Sequence, residues 1–66
     1  MITRVNGEPI EVVEGDTITD LLRRLDAPLD GVAVAVDGAV VPRAEHSRTL
    51  LRPGQQVEVI RAVGGG

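Results

Sequence analysis

A single amphipathic helix between short strand-forming stretches constrains the fold of this chain more than any other feature. Four aliphatic residues recur at helical spacing, namely Ile18, Leu21, Leu22 and Leu25. Thr17 and Asp20 have the spacing of a capping box that begins the helix, and Pro28 predicts an end near Asp26. Because one helix covers only one face of a sheet, we expect an α+β fold.

Turn signals and side-chain alternation indicate the strands. Asn6-Gly7 and Asp37-Gly38 are each typical of a two-residue hairpin turn, in which both residues need positive φ. Alternation predicts that Thr3 and Val5 face inward with Met1, and that the valines of 32–36 face the helix while its alanines face away. The predicted strands are residues 1–5, 10–13, 32–36, 40–41 and 56–62. With the first and last strands side by side at the centre, this is a β-grasp (ubiquitin-like) fold: a mixed sheet of four to five strands with the helix on one face.

Composition limits the kinds of site that the chain can carry. It has 66 residues, no cysteine, no aromatic residue and a net charge of −3 at pH 7. These values disfavour disulfides, thiolate zinc sites and single-stranded nucleic acid as a partner. No apolar run is long enough to cross a membrane, and we expect a cytoplasmic protein. The polar segment 43–49 contains the single histidine, His46, between Glu45 and Ser47. We interpret it as a surface loop and not as a catalytic triad, and Leu50-Leu51 after it as a return to the core.

The chain ends in three glycines. We expect residues 1–62 to form the domain and residues 63–66 to form a flexible glycine tail. Such an end is either frayed or a thin arm whose terminal carboxylate enters a narrow site on another protein. Residues 62–66, fully extended, can reach roughly 16–18 Å.

Several segments, taken together, carry a resemblance that spans the whole chain. They are Val5-Asn6-Gly7-Glu8, residues 17–22, residues 34–38, Val41-Pro42-Arg43 and residues 57–66. On these segments the chain resembles the sulfur carriers of thiamine thiazole biosynthesis, the ThiS type within the ThiS/MoaD ubiquitin-like family. Two positions depart from the family pattern: His46 stands where an aromatic residue is common, and Gly54-Gln55 stands where Gly-Asp is common.

The resemblance implies a carrier that is acted on by partner enzymes and has no catalytic residues, metal or bound cofactor of its own. An E1-like adenylating enzyme of the ThiF type would use ATP to activate the carboxyl group of Gly66. A cysteine desulfurase or another persulfide donor would supply sulfur, and the resulting thiocarboxylate would donate it to a thiazole synthase of the ThiG type. Gly65 and Gly64 would give access to the carboxyl group, and the free carrier would be a monomer. Further contacts to partners would come from Arg61, Ala62 and Val63.

Other functions and contact surfaces stay open from the sequence alone. The nearest alternative is the small subunit of molybdopterin synthase, a related sulfur carrier. A ubiquitin-type conjugator and a non-catalytic β-grasp binding module are further alternatives, and an enzyme acting alone is the least favoured because no nucleotide-binding motif or nucleophile–base pair is present. Beyond the tail, the candidate partner surfaces are the alanine face of 32–36 and the arginines Arg4, Arg43 and Arg61.

Overall fold

The computed structural model describes residues 1–61. Within these residues, five strands, one α-helix and a short 3-10 helix follow one another: β1 (Ile2–Val5), β2 (Glu8–Glu11), α1 (Ile18–Arg24), β3 (Val32–Val36), β4 (Ala39–Val41), the 3-10 helix (Arg43–Glu45) and β5 (Gln56–Arg61). The strands form one sheet in the order β2-β1-β5-β3-β4. The predicted domain boundary after residue 62 and the predicted flexible tail at 63–66 lie outside the described residues.

The sheet is mixed, and β5, the last strand of the described residues, lies at its centre with the first strand, β1, beside it. β1 and β5 run parallel, whereas β1 with β2, β3 with β4 and β3 with β5 are antiparallel. The helix connects the two halves of the sheet and contributes Ile18, Leu21 and Leu22 to the core. The predicted α+β, β-grasp architecture is therefore confirmed.

Both predicted hairpin turns are present with the backbone that their residues favour. Asn6 and Gly7 have φ values of 52° and 83°, and Asp37 and Gly38 have 50° and 85°. Asparagine, aspartate and glycine tolerate this left-handed region better than other residues. The two turns therefore fix the pairing of β1 with β2 and of β3 with β4.

The second strand begins and ends earlier than predicted. We expected residues 10–13, but β2 comprises Glu8–Glu11, with Val5 opposite Glu8 and Arg4 opposite Pro9. The two-residue turn requires pairing to resume at once, and Pro9 is compatible because β2 is an edge strand. Val12 lies beyond the strand and is buried in the core.

The helix is bounded by the predicted signals. The Thr17 backbone N–H donates to Asp20 Oδ2 at 2.9 Å, and the Asp20 N–H donates to Thr17 Oγ1 at 3.3 Å, which completes the capping box. The helix ends at Arg24, and Asp26 has a φ of 58° that is incompatible with a continuing helix. The predicted end near Asp26 is thus correct to within two residues.

The core is aliphatic, as the composition requires. Its buried members are Val5, Val12, Ile18, Leu21, Leu22, Val34, Leu51 and Val57. Thr3 is also buried, and its hydroxyl donates to the carbonyl of Gln55 at 3.2 Å. The expectation that Leu50 and Leu51 both enter the core is half correct, because Leu50 is 51% exposed.

The interpretation of His46 as part of a surface loop is wrong. Its side chain is 4% exposed, and Nε2 lies 3.0 Å from the carbonyl oxygen of Val41. Since a carbonyl oxygen only accepts, Nε2 carries the proton of this hydrogen bond. The His46 carbonyl also accepts from the Thr19 N–H at 3.2 Å. These two hydrogen bonds, to Val41 of β4 and to Thr19 of α1, place His46 between β4 and α1.

Candidate functional site at the carboxyl end of β5

The candidate site begins where β5 ends. Arg61, the last residue of β5, is exposed and pairs with Val32 of β3. The other predicted site residues, Ala62, Val63, Gly64, Gly65 and Gly66, lie outside the described residues. The structure therefore describes the base from which the predicted tail departs.

β5 is held differently on its two sides. Its antiparallel partner β3 pairs with it from Val36 opposite Val57 to Val32 opposite Arg61. Its parallel partner β1 pairs only near the start, where Val5 lies opposite Val57. Support from β1 therefore stops before β5 does.

Asn6, the first residue of the β1–β2 turn, contacts β5 beyond the end of β1. The Val59 N–H donates to Asn6 Oδ1 at 2.9 Å, and Asn6 Nδ2 donates to the Val59 carbonyl at 3.3 Å. The Asn-Gly pattern in the sequence indicates only the turn. The contact with β5 joins two residues that are 53 positions apart in the sequence, so no local sequence pattern could have predicted it.

A shallow groove lies between the β1–β2 turn, the end of α1 and β5. Its lining includes the half-buried side chains of Ile10, Leu25 and Val59 and the exposed charged residues Glu8 and Arg61. These side chains offer apolar contact and charge pairing but no nucleophile with an adjacent base. The groove is a candidate contact surface beside the start of the predicted tail.

The outer face of the sheet carries small and aliphatic side chains close to the same end. Ala33 pairs with Ile60, and Ala35 pairs with Val40 and with Glu58. Ile60 is 57% exposed and Val40 is 73% exposed. The predicted alanine face is thus part of a larger apolar surface, which we call the outer apolar patch: Ala33, Ala35, Val40 and Ile60.

The three arginines proposed from the sequence do not lie together. Arg4 lies opposite Gln56 at the start of β5 and donates to the Gly7 carbonyl at 3.2 Å. Arg43 forms an ion pair with Asp30. Of the three, Arg61 lies at the carboxyl end of β5, and only this arginine adjoins the predicted tail.

The polar segment 43–49 does not assemble a catalytic site. Glu45 pairs with Arg48 at 3.2 Å, His46 hydrogen-bonds a backbone carbonyl, and Ser47 is exposed. Among residues 1–61, no group of three or more His, Cys, Asp or Glu side chains could hold a metal ion. In the same described range, no helix is long and apolar enough to span a membrane.

Comparisons with known proteins agree with this architecture. The model of the ThiS family matches residues 3–66. The chain is 28% identical over 61 residues to the sulfur carrier protein ThiS of Escherichia coli K12, with 92% of each chain covered. It resembles the crystal structure of a thiamine biosynthesis protein (ThiS) from Geobacter metallireducens with a TM-score of 0.78, 34% identity and full coverage of both chains.

A further similarity is to part of a larger enzyme. The whole chain is 36% identical over 66 residues to a thiazole synthase of Magnetococcus marinus, of which it covers 20%. That enzyme therefore contains a region similar to this chain in addition to a much longer remainder. The family match spans nearly the full chain, and it includes the terminal glycines. The chain belongs to the ThiS family.

Proposed function

We propose that this protein is a sulfur carrier of thiamine biosynthesis and that the carboxyl group of Gly66 carries the sulfur. The observation that supports this most directly is the family match, which continues through residue 66 and therefore includes the three terminal glycines. The similarity to the Escherichia coli sulfur carrier over 92% of both chains supports the same assignment. In this proposal the chain is a co-substrate, and its partners provide the catalysis.

The chemistry of a carboxylate explains why an activating partner is needed. An α-carboxyl group has a pKa of about 3.3–3.7 and is therefore ionised, and unreactive toward nucleophiles, at neutral pH. An E1-like adenylating enzyme joins a carboxylate oxygen of Gly66 to the α-phosphorus of ATP, and pyrophosphate leaves. A persulfide sulfur then attacks the acyl carbon and expels AMP. Reductive cleavage of the resulting acyl disulfide by a thiol leaves the thiocarboxylate.

The final acceptor of the sulfur is a thiazole synthase in this proposal. The support is the Magnetococcus marinus thiazole synthase, which contains a region similar to this whole chain. Two protein regions that are joined in one polypeptide have a high effective concentration with respect to each other, which favours successive steps of one reaction. The sulfur donor is a cysteine desulfurase or another persulfide source. Since activation consumes ATP, we expect the carrier to act in the cytoplasm.

The partner surface in this proposal surrounds the end of β5. Arg61 and the Ala33–Ile60 pair of the outer apolar patch lie there, and Ala62 and Val63 follow directly in the sequence. Exposed aliphatic side chains beside a reactive terminus suit a partner that must hold the domain while its active site binds the tail. Glycines at 64–66 keep the tail narrow because they lack a Cβ atom.

A substitution in the tail tests the proposal. We expect Gly65→Val to lower carrier-dependent ATP–pyrophosphate exchange by a ThiF-type enzyme about 100-fold, the scale of loss when reacting groups are misplaced by about 1 Å. Urea unfolding should be unchanged, because residue 65 follows the last strand. Ala44→Val is the control, because it also introduces a valine, at an exposed position of the 3-10 helix. This variant should support ATP–pyrophosphate exchange at the rate of the unsubstituted chain. Normal exchange with Gly65→Val would contradict the narrow-channel role of the tail.

A further inference from the structure

Each hairpin turn places a polar side chain against β5, but at opposite ends of the strand. Asp37 Oδ1 accepts from the N–H of Gln56, the first residue of β5, at 2.9 Å. Asn6 bonds both the N–H and the carbonyl of Val59, at 2.9 and 3.3 Å, two residues before the end of β5. Asn6 and Asp37 have nearly the same backbone conformation, with φ values of 52° and 50°. The two turns are therefore matched in geometry and differ in the end of β5 that they hold.

The Asn6 side chain continues the support that β1 gives to β5. The backbone ladder from β1 reaches Val57, whose carbonyl accepts from the Asn6 N–H at 2.8 Å. At Asn6 the chain turns away toward β2. The carboxamide of Asn6 then makes the donor and acceptor contacts to Val59 that the backbone of a longer strand would make. In the described part of the chain, this carboxamide holds the β1 side of β5 between Val57 and Arg61.

We propose that Asn6 is a positioning residue for delivery of the tail to the adenylating enzyme. The inference rests on the proposed function and names a residue that the family match does not assign. Asn6 touches no reacting atom and acts through Val59. By fixing Val59 on the β1 side, it narrows the range of directions in which the chain leaves the domain after Arg61. A narrower range lowers the ordering cost that is paid when the partner binds the tail.

This role predicts an effect on KM and not on kcat. Once the tail is bound in the active site, the acyl carbon and ATP meet in the same geometry whether or not Asn6 is present. An interaction that only pre-orders the free carrier contributes to binding, and its loss raises KM while kcat stays the same. General destabilisation of the domain would instead change the folded fraction, which can be measured separately.

The left-handed turn allows substitutions that separate the two roles of Asn6. Glycine tolerates the positive φ, so Asn6→Gly keeps the turn and removes both side-chain bonds to Val59. Asn6→Asp keeps an acceptor for the Val59 N–H and loses the donor to the Val59 carbonyl. Asp37→Gly makes the matching change in the other turn and removes a bond at the opposite end of β5.

The experiment measures ATP–pyrophosphate exchange by a ThiF-type adenylating enzyme with the full chain as the varied substrate. We expect Asn6→Gly to raise KM roughly 3- to 10-fold, as for the loss of one or two hydrogen bonds, with kcat unchanged. Asn6→Asp should fall between Asn6→Gly and the unsubstituted chain. Asp37→Gly should stay within about twofold of the unsubstituted chain, as is usual for surface changes away from a site. Amide hydrogen exchange at Val59 should be faster in Asn6→Gly and unchanged in Asp37→Gly.

The outcomes separate this inference from the proposed function. An unsubstituted chain that supports no exchange with an otherwise active enzyme would overturn the proposed function, and the role of Asn6 with it. If the unsubstituted chain is active but Asn6→Gly has an unchanged KM, or Asp37→Gly raises KM equally, the inference alone is overturned. A raised KM for Asn6→Gly with faster exchange at Val59, at an equal folded fraction in urea titrations, supports it.

Discussion

At the scale of single residues, the best defined electrostatic contact is the cap of α1. The backbone N–H and the hydroxyl of Thr17 both donate to Asp20 Oδ2, at 2.9 and 3.0 Å. Hydrogen bonds to the ionised carboxylate favour it over the protonated form, and they lower the pKa of Asp20 below its ordinary value of 3.8. Arg23 and Arg24 lower this pKa further, by a smaller amount.

This lowered pKa makes a pH-dependent contribution to stability. In the unfolded chain Asp20 takes up a proton near its ordinary pKa, whereas in the folded chain it does so only at lower pH. Its contribution is therefore complete above about pH 4 and is lost as the pH falls through the pKa of the folded state. We expect Asp20→Asn to be less stable than the unsubstituted chain at pH 7, and this difference should shrink at pH 2–3.

Urea unfolding, monitored by far-ultraviolet circular dichroism at pH 7 and pH 2.5, measures the difference in the free energy of unfolding between Asp20→Asn and the unsubstituted chain. Glu14→Gln is the control, because Glu14 is an exposed carboxylate outside the cap. The free energy of unfolding of this control should differ little from that of the unsubstituted chain at either pH. A destabilisation by Asp20→Asn that is equal at pH 7 and pH 2.5 would contradict the assignment of the cap to the ionised form.

Residues with local roles could be predicted from the sequence, and residues with long-range roles could not. Thr17 and Asn6 were identified correctly as a cap and a turn residue, because each role depends on neighbours within a few positions. The burial of His46 and the bonds from Asn6 to Val59 depend on contacts set by the whole sheet. A polar side chain in a polar segment, such as His46, gives no local signal that it will be enclosed.

At the scale of elements, the alternation of β3 and β5 gives the sheet two chemically different faces. Val34, Val57 and Val59 face α1, and Val34 and Val57 are fully buried. Ala33 and Ile60 form a cross-strand pair on the opposite face, next to the end of β5. The inward and outward sets of β3 followed directly from the sequence, since the side-chain period of a strand is two residues. The bounds of β2 were missed because the two-residue turn brings Glu8 directly opposite Val5, so that pairing resumes before Pro9.

The outer apolar patch should contribute to partner binding because of its position beside the tail. We expect Ile60→Glu to raise the KM for carrier adenylation about tenfold, as for loss of a well-packed interface side chain. Folding should be retained, since Ile60 is 57% exposed. The measurement is ATP–pyrophosphate exchange at varied carrier concentration.

Ile2→Glu is the matched control for this variant. Ile2 has the same side chain, is 47% exposed and lies at the opposite end of the sheet, where its carbonyl accepts from the Gly54 N–H. The two positions are roughly 20 Å apart along the strand direction, estimated from the rise per residue. Equal effects of Ile60→Glu and Ile2→Glu would contradict a contact surface confined to the carboxyl end of β5.

At the scale of the whole molecule, the fold places its last strand at the centre of the sheet. β5 lies between β1 and β3, and the helix packs on one face of the sheet through the aliphatic core. β3 restrains β5 as far as Arg61, and on the other side β1 and Asn6 restrain it as far as Val59. This restraint gives the residues that follow β5 a defined starting point. In the proposed function, the small domain provides the base and the contact surface, and the chemistry lies entirely in the residues beyond Arg61.

The central claim is that Gly66 becomes a thiocarboxylate, and mass analysis tests it most directly. The full chain is incubated with a ThiF-type adenylating enzyme, ATP, a cysteine desulfurase and cysteine. The mass of its C-terminal proteolytic fragment is then measured by mass spectrometry. We predict a mass increase equal to the replacement of one oxygen by sulfur, confined to that fragment and absent without ATP. An unchanged fragment, with an enzyme that modifies another ThiS-family carrier in the same assay, would contradict the account.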